Sequence, residues 1–342
     1  MYLKLSPEQS KRLRQSFQNN SNAAVKKHKQ IAAPEKGAAL CFVHRISDRI
    51  SLAEENMALK SEKELLEKII RMVALDLDGT TFDSAGDISE ENVRALEEAA
   101  SRGVHIVVST GRSYASLPDH IKRVKGIEYA ITSNGAHVNI VETGEQIYSD
   151  FLDPEAVREI AVLKDATKAD IEVFIDGRAY VDQSYYDDVK ENGCAYRNAE
   201  YVIWSRRPVP DVTALMLEHC GEIENVNFIY ETLEMLEKAK PKVNAIRNAT
   251  ITSSFPNNLE VGGPHTSKKT ALAWLLKELE ISADELMCCG DAPNDIAMVE
   301  MAGIGVAVAN AWGGLKDHAD YITASNDDNG IAKAIDKFVL HR

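Results

Sequence analysis

MVALDLDGT, residues 72–80, is the most informative segment of this 342-residue chain. Four apolar residues are followed at once by two carboxylates, Asp76 and Asp78, and then by glycine. A short, continuous apolar run is typical of a strand that is buried on both faces of a parallel sheet. Side chains two residues apart on a strand point the same way, so we expect both carboxylates to face one site.

Three more apolar runs end in small polar residues in the same manner. They lead into Ser109-Thr110-Gly111-Arg112, Thr132-Ser133-Asn134-Gly135 and Gly290-Asp291-Ala292-Pro293-Asn294-Asp295. Apolar residues at helical spacing lie between the runs, at 89–102 and at 267–279. This alternation predicts an α/β fold with a doubly wound parallel sheet. In such folds ligands bind beyond the carboxyl ends of the strands, where all these polar clusters fall.

The block between the third and fourth apolar runs has a different sequence pattern from the segments on either side. Within it, IEVFIDGRAYV at 171–181 predicts a hairpin with a turn at Asp176-Gly177. We expect this block to form an inserted α+β cap that closes over a site. The domain prediction is an extension at 1–71, core segments at 72–151 and 263–342, and a cap at 152–262.

The extension lies outside these patterns. Residues 1–45 lack periodicity and predict disorder, whereas 47–71 has the apolar spacing of one amphipathic helix. Residues 1–70 carry 13 Lys/Arg and 8 Asp/Glu, while the remainder carries 26 and 45. We expect residues 1–71 to be dispensable for catalysis, with the organised protein beginning at Met72. They are either an appendage or upstream sequence joined by a misassigned start.

Composition argues against several classes of partner. The net charge of −14, concentrated after residue 70, would repel nucleic acid and anionic membranes. No apolar run approaches the roughly 18 residues that span a bilayer, and the start of the chain lacks a secretory apolar core. The five cysteines form no C-x-x-C pair, and the histidines form no zinc pattern. We therefore expect a cytoplasmic protein with reduced thiols that binds a small molecule.

Paired carboxylates at a strand end can divide the work of group transfer. One of Asp76 and Asp78 can attack phosphorus, and the other can pass a proton to and from oxygen. The carboxylates and amide of 290–295 supply the oxygen ligands that Mg²⁺ prefers. Thr110 offers a hydroxyl to a phosphoryl oxygen, and Lys268 offers a charge at a helix start, although the next residue is also lysine. Taken singly, each cluster also suits a plain turn or helix cap.

As an ordered set, these clusters resemble the four motifs of the haloacid-dehalogenase superfamily. The matching segments are Asp76-x-Asp78-Gly79-Thr80, Ser109-Thr110-Gly111-Arg112, Thr266-Ser267-Lys268 and Gly290-Asp291-Ala292-Pro293-Asn294-Asp295. The late insertion resembles the Cof-type branch, which has a large C2-type cap between the second and third motifs. Ser133-Asn134-Gly135-Ala136 also matches a stretch common in that branch, and the resemblance spans about 72–337.

The resemblance implies a role for each matching residue. Asp76 would be the nucleophile, Asp78 the acid and base, and Thr110 and Lys268 would bind the transferring phosphoryl group. The implied Mg²⁺ ligands are Asp76, Asp78 through its backbone carbonyl, Asp291 and Asp295. The expected substrate contacts are Gly111, Arg112, Asn134 and Asn294.

The function that the resemblance implies is Mg²⁺-dependent hydrolysis of a small phosphorylated metabolite through an aspartyl-phosphate. A sugar phosphate is the first expectation for the substrate, with pyridoxal phosphate or a flavin nucleotide behind it. Two alternatives stay open. A phosphomutase of the phosphomannomutase type has similar motifs and cap placement, and a non-catalytic binding protein could retain the fold. The second alternative predicts the loss of a catalytic carboxylate, and none is lost here.

Overall fold

The computed structural model of the chain describes residues 61–194 and 197–342, apart from the side chain of Arg123. Its helices are α1 Glu62–Leu66, α2 Glu90–Ser101, α3 Asp119–Arg123, α4 Pro154–Thr167, α5 Gln183–Asn192, α6 Ala199–Ser205, α7 Val212–Glu218, α8 Leu233–Val243, α9 Lys268–Glu278, α10 Ile296–Met301, α11 Gly313–Lys316 and α12 Gly330–Phe338. Its strands are β1 Met72–Leu75, β2 His105–Ser109, β3 Ile127–Thr132, β4 His137–Ile140, β5 Gln146–Ser149, β6 Asp170–Ile175, β7 Arg178–Asp182, β8 Arg206–Val209, β9 Ile223–Ile229, β10 Thr250–Thr252, β11 Asn258–Gly262, β12 Leu286–Gly290, β13 Ile304–Ala307 and β14 Tyr321–Ile322.

The first sheet has eight strands in the order β14-β13-β12-β1-β2-β3-β4-β5. Strands β14 to β3 run parallel, and β4 and β5 are antiparallel additions at one edge. All four residues of β1 are fully buried, as their continuous apolar run predicts. Because β1 pairs with β12 on one side and β2 on the other, the chain segments that follow these strands meet at one edge. The predicted doubly wound α/β core is confirmed.

The second sheet has six strands in the order β10-β11-β9-β6-β7-β8 and forms a separate hydrophobic cluster with α4, α7 and α8. Every pair of its neighbouring strands is antiparallel except β7 with β8. The predicted hairpin at 171–181 is confirmed, since β6 and β7 pair across a turn in which Asp176 and Gly177 have φ of 49° and 67°. This mainly antiparallel α+β unit follows the first three parallel strands and precedes β12 in the chain.

The organised chain begins before Met72, which corrects the expectation that the core starts there. Leu65 and Ile70 belong to the same hydrophobic cluster as the parallel sheet. The backbone of Arg71 donates to the carbonyl of Glu285 (2.8 Å) and accepts from the amide of His105 (2.9 Å), so it extends the ladder of β1. The helix predicted over 47–71 is wrong at its end, because α1 stops at Leu66 and the chain then straightens into the sheet.

Most of the extension lies outside the described residues, including the disorder predicted for 1–45 and the helix predicted from residue 47 to residue 60. Among the described residues, no helix combines the length and apolar content needed to cross a membrane.

Candidate active site

Asp76 follows β1 directly and is 6% exposed. Its amide donates to the carbonyl of Cys289 (3.0 Å), which continues the pairing of β1 with β12 past the last strand residue. The chain then turns sharply at Gly79, where φ is +78°. A Cβ on Gly79 would lie 2.7 Å from Oδ2 of Asp291, so glycine lets this turn approach the acidic segment after β12.

Lys268 bridges two carboxylates at the centre of the site. It is 1% exposed, and its Nζ donates to Oδ1 of Asp76 and Oδ1 of Asp295, at 2.6 Å each. Its placement follows from the start of α9, where the side chain of Ser267 accepts from the amide of Thr270 and caps the helix. A Cβ on Gly135 would lie 2.2 Å from the carbonyl oxygen of Ser267, so the loop after β3 packs tightly against this cap.

Asp291 and Asp295 bring two more carboxylates to the same point. One oxygen each of Asp76, Asp291 and Asp295 lies within 4.8 Å of the others. Oδ1 of Asp291 accepts from the hydroxyl of Thr80 (3.0 Å). Oδ2 of Asp295 accepts from the amides of Asp291 and Ala292 at 3.0 and 3.1 Å, which fixes the loop after β12. Three carboxylates thus surround one lysine.

The excess of carboxylates over lysine contributes to shifted pKa values in these groups. Burial raises the pKa of Asp76 well above its usual range, against the opposing effect of Lys268. Burial, with the charge of Asp295, raises the pKa of Asp291 to about 7. Burial by itself would lower the pKa of Lys268, but Asp295 and Asp76 raise it above its ordinary value, so the lysine stays charged. Lys268 therefore neutralises only part of the negative charge of the three carboxylates, and the cluster can accept another cation.

The donor set suits a hard divalent ion. The available ligands are carboxylate oxygens, which Mg²⁺ and Ca²⁺ prefer, and no histidine or cysteine joins the acidic group among the described residues. Beyond the bonds to Lys268 and Thr80, the second oxygens of Asp76 and Asp291 accept no hydrogen bond from the described residues. These residues fit a Mg²⁺ ion.

Asp78 takes a different position from the other carboxylates. Its oxygens accept from Nε and Nη2 of Arg112 at 2.7 and 2.6 Å, a bidentate pair, and its side chain is 59% exposed. Arg112 in turn lies over the rings of Phe82 and Tyr201, at 5.4 and 4.3 Å from their centres. The side chain of Arg112 is only 12% exposed. The carboxylate of Asp78 is therefore outside the acidic cluster, and a backbone ligand at Asp78 stays a prediction.

Three further predicted residues, Thr110, Asn134 and Asn294, lie near this cluster. Thr110 is buried after β2, and its hydroxyl accepts from the amide of Arg112 (3.2 Å). Asn294 donates to Oδ1 of Asn134 (3.0 Å), and Asn134 donates to Glu260 of β11. Lysine 268 rather than its neighbour is the buried one, since Lys269 is exposed.

A cleft of about 620 Å³ lies over these residues, between the two sheets. Its core wall includes Asp76, Asp78, Thr110, Arg112, Asp291 and Asn294. Its insert wall includes Phe174, Arg197, Tyr201, Arg206, Phe255 and Glu260. Gly111 also lines the cleft, whereas Asn134 and Lys268 lie behind the core wall.

The insert wall is the part that sequence reasoning missed. Arg197 and Arg206 both form bidentate pairs with Glu172, which is fully buried in β6. Burial alone would raise the pKa of Glu172, but the two arginines hold it well below its usual range. Neither arginine belongs to a recognisable motif. The one available signal was an acidic residue inside the predicted hairpin.

Buried thiols contribute nothing to the site. Cys288 and Cys289 lie within β12, and burial raises the pKa of both, to about 12 for Cys289, which disfavours the reactive thiolate. Cys194 and Cys220 are also free. Cys41 lies outside the described residues.

Comparisons with known proteins agree with this fold and site. The family of haloacid dehalogenase-like hydrolases matches residues 73–335. A 5-amino-6-(5-phospho-D-ribitylamino)uracil phosphatase of Bacillus subtilis is 31% identical over 277 residues, covering 79% of this chain and 96% of that protein. A haloacid dehalogenase-like hydrolase structure from B. subtilis aligns with a TM-score of 0.68 at 27% identity, over 78% of this chain and 99% of its own. A sugar phosphatase of the same superfamily aligns with a TM-score of 0.68 at 25% identity, over 78% of this chain and 98% of its own.

Fold, family match and relatives together define a phosphatase. The chain belongs to the haloacid dehalogenase-like hydrolase family, in its Cof-type branch. This chain covers 96% of that phosphatase and 98% of a second phosphatase of B. subtilis.

Proposed function

We propose that this protein hydrolyses phosphomonoesters of small metabolites through an aspartyl-phosphate formed on Asp76. The observation that carries the proposal is the bridge of Lys268 between Asp76 and Asp295, at 2.6 Å to each, directly behind the core wall of the cleft. A nucleophilic carboxylate must be held in place and kept from protonation. Lys268 holds Asp76 and opposes the rise in its pKa that burial causes. The family match supports the same assignment.

The first step forms a bond between a carboxylate oxygen of Asp76 and phosphorus. The ester P–O bond breaks, and the leaving oxygen takes a proton from Asp78. In the second step Asp78 removes a proton from water, the water oxygen attacks phosphorus, and inorganic phosphate departs from Asp76. Thr110 and the backbone around Gly111 lie on the core wall, where they can donate hydrogen bonds to the phosphoryl oxygens.

In the structure Asp78 is paired with Arg112, and this pairing does not suit a residue that must donate a proton. A bidentate pair with Arg112 keeps a carboxylate ionised, and an acid must carry a proton. A substrate phosphoryl group would attract the same guanidinium, since Arg112 also lines the cleft. We infer that substrate binding draws Arg112 from Asp78 and frees Asp78 for proton transfer.

Mg²⁺ would be held by Asp76 and Asp291, with Asp295 behind them and the backbone carbonyl of Asp78 as a further ligand. The ion would offset the negative charge of these carboxylates and of the phosphoryl oxygens. The raised pKa values of Asp76 and Asp291 without a cation support this requirement.

Residues 152–262 are proposed to act as the cap, because their sheet supplies the wall opposite Asp76. The substrate is proposed to be a small metabolite whose leaving group contacts this wall. A sugar phosphate is supported by the sugar phosphatase relative, and a ribityl phosphate carrying a uracil ring is the substrate named in another relative.

The test is release of free phosphate from a panel of phosphorylated metabolites with Mg²⁺ and without a bisphosphate activator. Multiple turnovers of phosphate release are expected in the wild type and none in Asp76→Asn. Phosphoryl transfer that appears only with a bisphosphate activator would indicate a mutase. Tight binding of a phosphate ester without any turnover would indicate a binding protein.

A cytoplasmic location is proposed as well. The free thiols at Cys194 and Cys220 are partly accessible and suit a reducing compartment. Fractionation of the native cells should recover the protein with soluble cytoplasmic markers, and recovery in a membrane or secreted fraction would contradict this.

A further inference from the structure

The insert wall concentrates positive charge opposite the carboxylates of the core wall. Arg197 precedes α6 and Arg206 begins β8, and both side chains line the cleft. Neither has a role in the phosphoryl chemistry proposed above. Their presence in a cleft that must already receive one anion requires its own explanation.

One carboxylate serves both guanidinium groups. Glu172 accepts from Arg197 at 3.0 and 2.6 Å and from Arg206 at 3.0 and 2.8 Å. Among the described residues, it is the one carboxylate in ion-pair contact with either arginine. Asn227 also donates to it at 3.0 Å, so its oxygens are fully used. Two cations and one anion leave one positive charge in excess.

The other acidic residue of this wall does not cancel that excess. Glu260 is buried, and its oxygens accept from Asn258 (2.8 Å), Ser254 and Asn134, rather than from an arginine. Burial raises the pKa of Glu260 above its usual value, which favours its neutral form. Arg112 across the cleft is already paired with Asp78.

Both guanidinium groups pack against aromatic rings. That of Arg197 has hydrogen-bonding capacity to spare, whereas all three guanidinium nitrogens of Arg206 donate to Glu172 or Ser205. Arg197 lies 4.8 Å from the ring centre of Phe255, and Arg206 lies 5.0 Å from that of Tyr201. The side chain of Arg197 is only 10% exposed, yet its Nε has no acceptor among the described residues. A buried, unsatisfied guanidinium N–H is unfavourable unless a ligand or water accepts from it.

We propose that Arg197 and Arg206 form a second anion subsite, and that the natural substrate carries another acidic group besides the phosphoryl group that is cleaved. The placement of the cleaved group at Asp76 rests on the proposed function. The second group is a carboxylate or a second phosphate, because both accept hydrogen bonds from a guanidinium fork. This defines the substrate class as phosphorylated acids or bisphosphates.

The experiment compares substrates in pairs that differ in one acidic group. The pairs are 3-phosphoglycerate with glycerol 3-phosphate, 6-phosphogluconate with sorbitol 6-phosphate, and fructose 1,6-bisphosphate with fructose 6-phosphate. In at least one pair the acidic member should have a kcat/KM higher by about tenfold or more, the size of a charge-assisted hydrogen bond. The carboxylate pairs and the bisphosphate pair tell the two kinds of anion apart.

Four variants locate the preference. Arg197→Gln and Arg206→Gln should each reduce the ratio between the members of the preferred pair by about tenfold. Arg207→Gln is the matched control, because Arg207 is exposed, adjacent in sequence and outside the cleft lining. It should keep the full ratio. Arg197→Lys, which keeps the charge and loses the fork, should retain part of the preference.

The wild-type comparison needs no variant to fold, so it decides the proposal on its own. Equal kcat/KM values within every pair, including equal absence of turnover, would overturn it. A ratio that persists in both Arg197→Gln and Arg206→Gln would also overturn it. Hydrolysis of p-nitrophenyl phosphate, which has no second acidic group, tests the proposed function separately. If that ester is cleaved with Mg²⁺ and the pairs show no preference, the subsite is wrong and the phosphatase chemistry stands.

Discussion

The two walls of the cleft have opposite imbalances of charge. The core wall and the lysine behind it gather three carboxylates, Asp76, Asp291 and Asp295, around one cation. The insert wall sets two arginines around one carboxylate, Glu172. Each arrangement is incomplete by itself, one lacking positive charge and the other lacking negative charge.

The difference assigns separate work to the two walls. A deficit of positive charge at the core wall suits a metal ion and an electrophilic phosphorus. An excess of positive charge at the insert wall suits an anionic leaving group. We therefore propose that chemistry depends on the core wall and selectivity on the insert wall, and variants in each should fail in different ways.

The largest effect is expected from Asp76→Asn, which replaces the proposed nucleophile with an amide that cannot attack phosphorus. Hydrolysis of every substrate should fall by at least about a thousandfold, measured as phosphate release. Asp87→Asn removes the same charge at an exposed position and should stay near wild type. Activity above a few per cent of wild type in Asp76→Asn would remove this aspartate from the mechanism.

The insert wall should respond in stability. Glu172→Gln leaves two buried guanidinium groups without their anion and should lower the free energy of unfolding by about 3–5 kcal/mol. The folded pKa of Glu172 is depressed, so its stabilisation is complete above its unfolded pKa of 4.5 and is lost as the pH falls below that value. Urea unfolding between pH 3 and pH 7 should therefore show a shallower acid decline in the variant.

Glu142→Gln is the matched control for that comparison, because Glu142 lies exposed in the turn between β4 and β5. Its unfolding curve should coincide with that of the wild type. A Glu172→Gln protein as stable as this control would mean that the arginines do not depend on their carboxylate.

At the core wall, Asp291→Asn should raise the Mg²⁺ concentration for half-maximal activity by about 10–100-fold, as expected for the loss of a metal ligand. Excess EDTA should abolish wild-type activity. Mg²⁺ should also raise the unfolding temperature of the wild type more than that of the variant. Unchanged activity in EDTA would exclude the metal requirement.

The same variant gives a pH test without metal. The folded pKa of Asp291, about 7, lies above its ordinary value of 3.8, so its contribution to stability is complete below pH 3.8 and is lost as the pH rises through 7. Metal-free wild type should lose stability across that window, and Asp291→Asn should lose less. Thermal unfolding in EDTA at a series of pH values measures the slopes.

The smallest effect is expected far from both walls. A chain that begins at Ser61 should keep kcat/KM within about twofold, because every cleft residue and the family match lie downstream. A chain that begins at Met72 loses buried Leu65 and Ile70 and the backbone bonds of Arg71, so its unfolding temperature should drop clearly. Equal stability of the two shortened chains would show that residues 61–71 add nothing to the core.

The core wall was largely predictable because its residues follow continuous apolar strands. Burial on both faces gives a strand such as β1 an unmistakable pattern, and parallel strands bring their ends together. The residue pattern alone left Lys268 and Lys269 open, since adjacent positions at a helix start differ only in which side faces the sheet. The family resemblance selected Lys268, which is the buried one. The pair between Asp78 and Arg112 was also missed, because it depends on side-chain direction.

The insert wall was not predictable for a physical reason. In β6, apolar Ile171, Val173 and Ile175 alternate with Glu172 and Phe174, a pattern that normally places the second face in solvent. Here that face covers the cleft, so a glutamate that reads as exposed is fully buried. Its partners Arg197 and Arg206 come from other elements at no fixed spacing, and one sequence carries no signal that joins them.

The most direct test of the account is to trap the phosphoryl group on the enzyme. A single turnover of a cleaved phosphomonoester with Mg²⁺, quenched in acid, should leave a phosphoryl group on the peptide that contains Asp76, located by mass spectrometry. This species should form and decay no more slowly than turnover, and it should be absent from Asp76→Asn. Phosphorylation of a different residue, or full turnover with no phosphorylated enzyme at any quench time, would contradict the account.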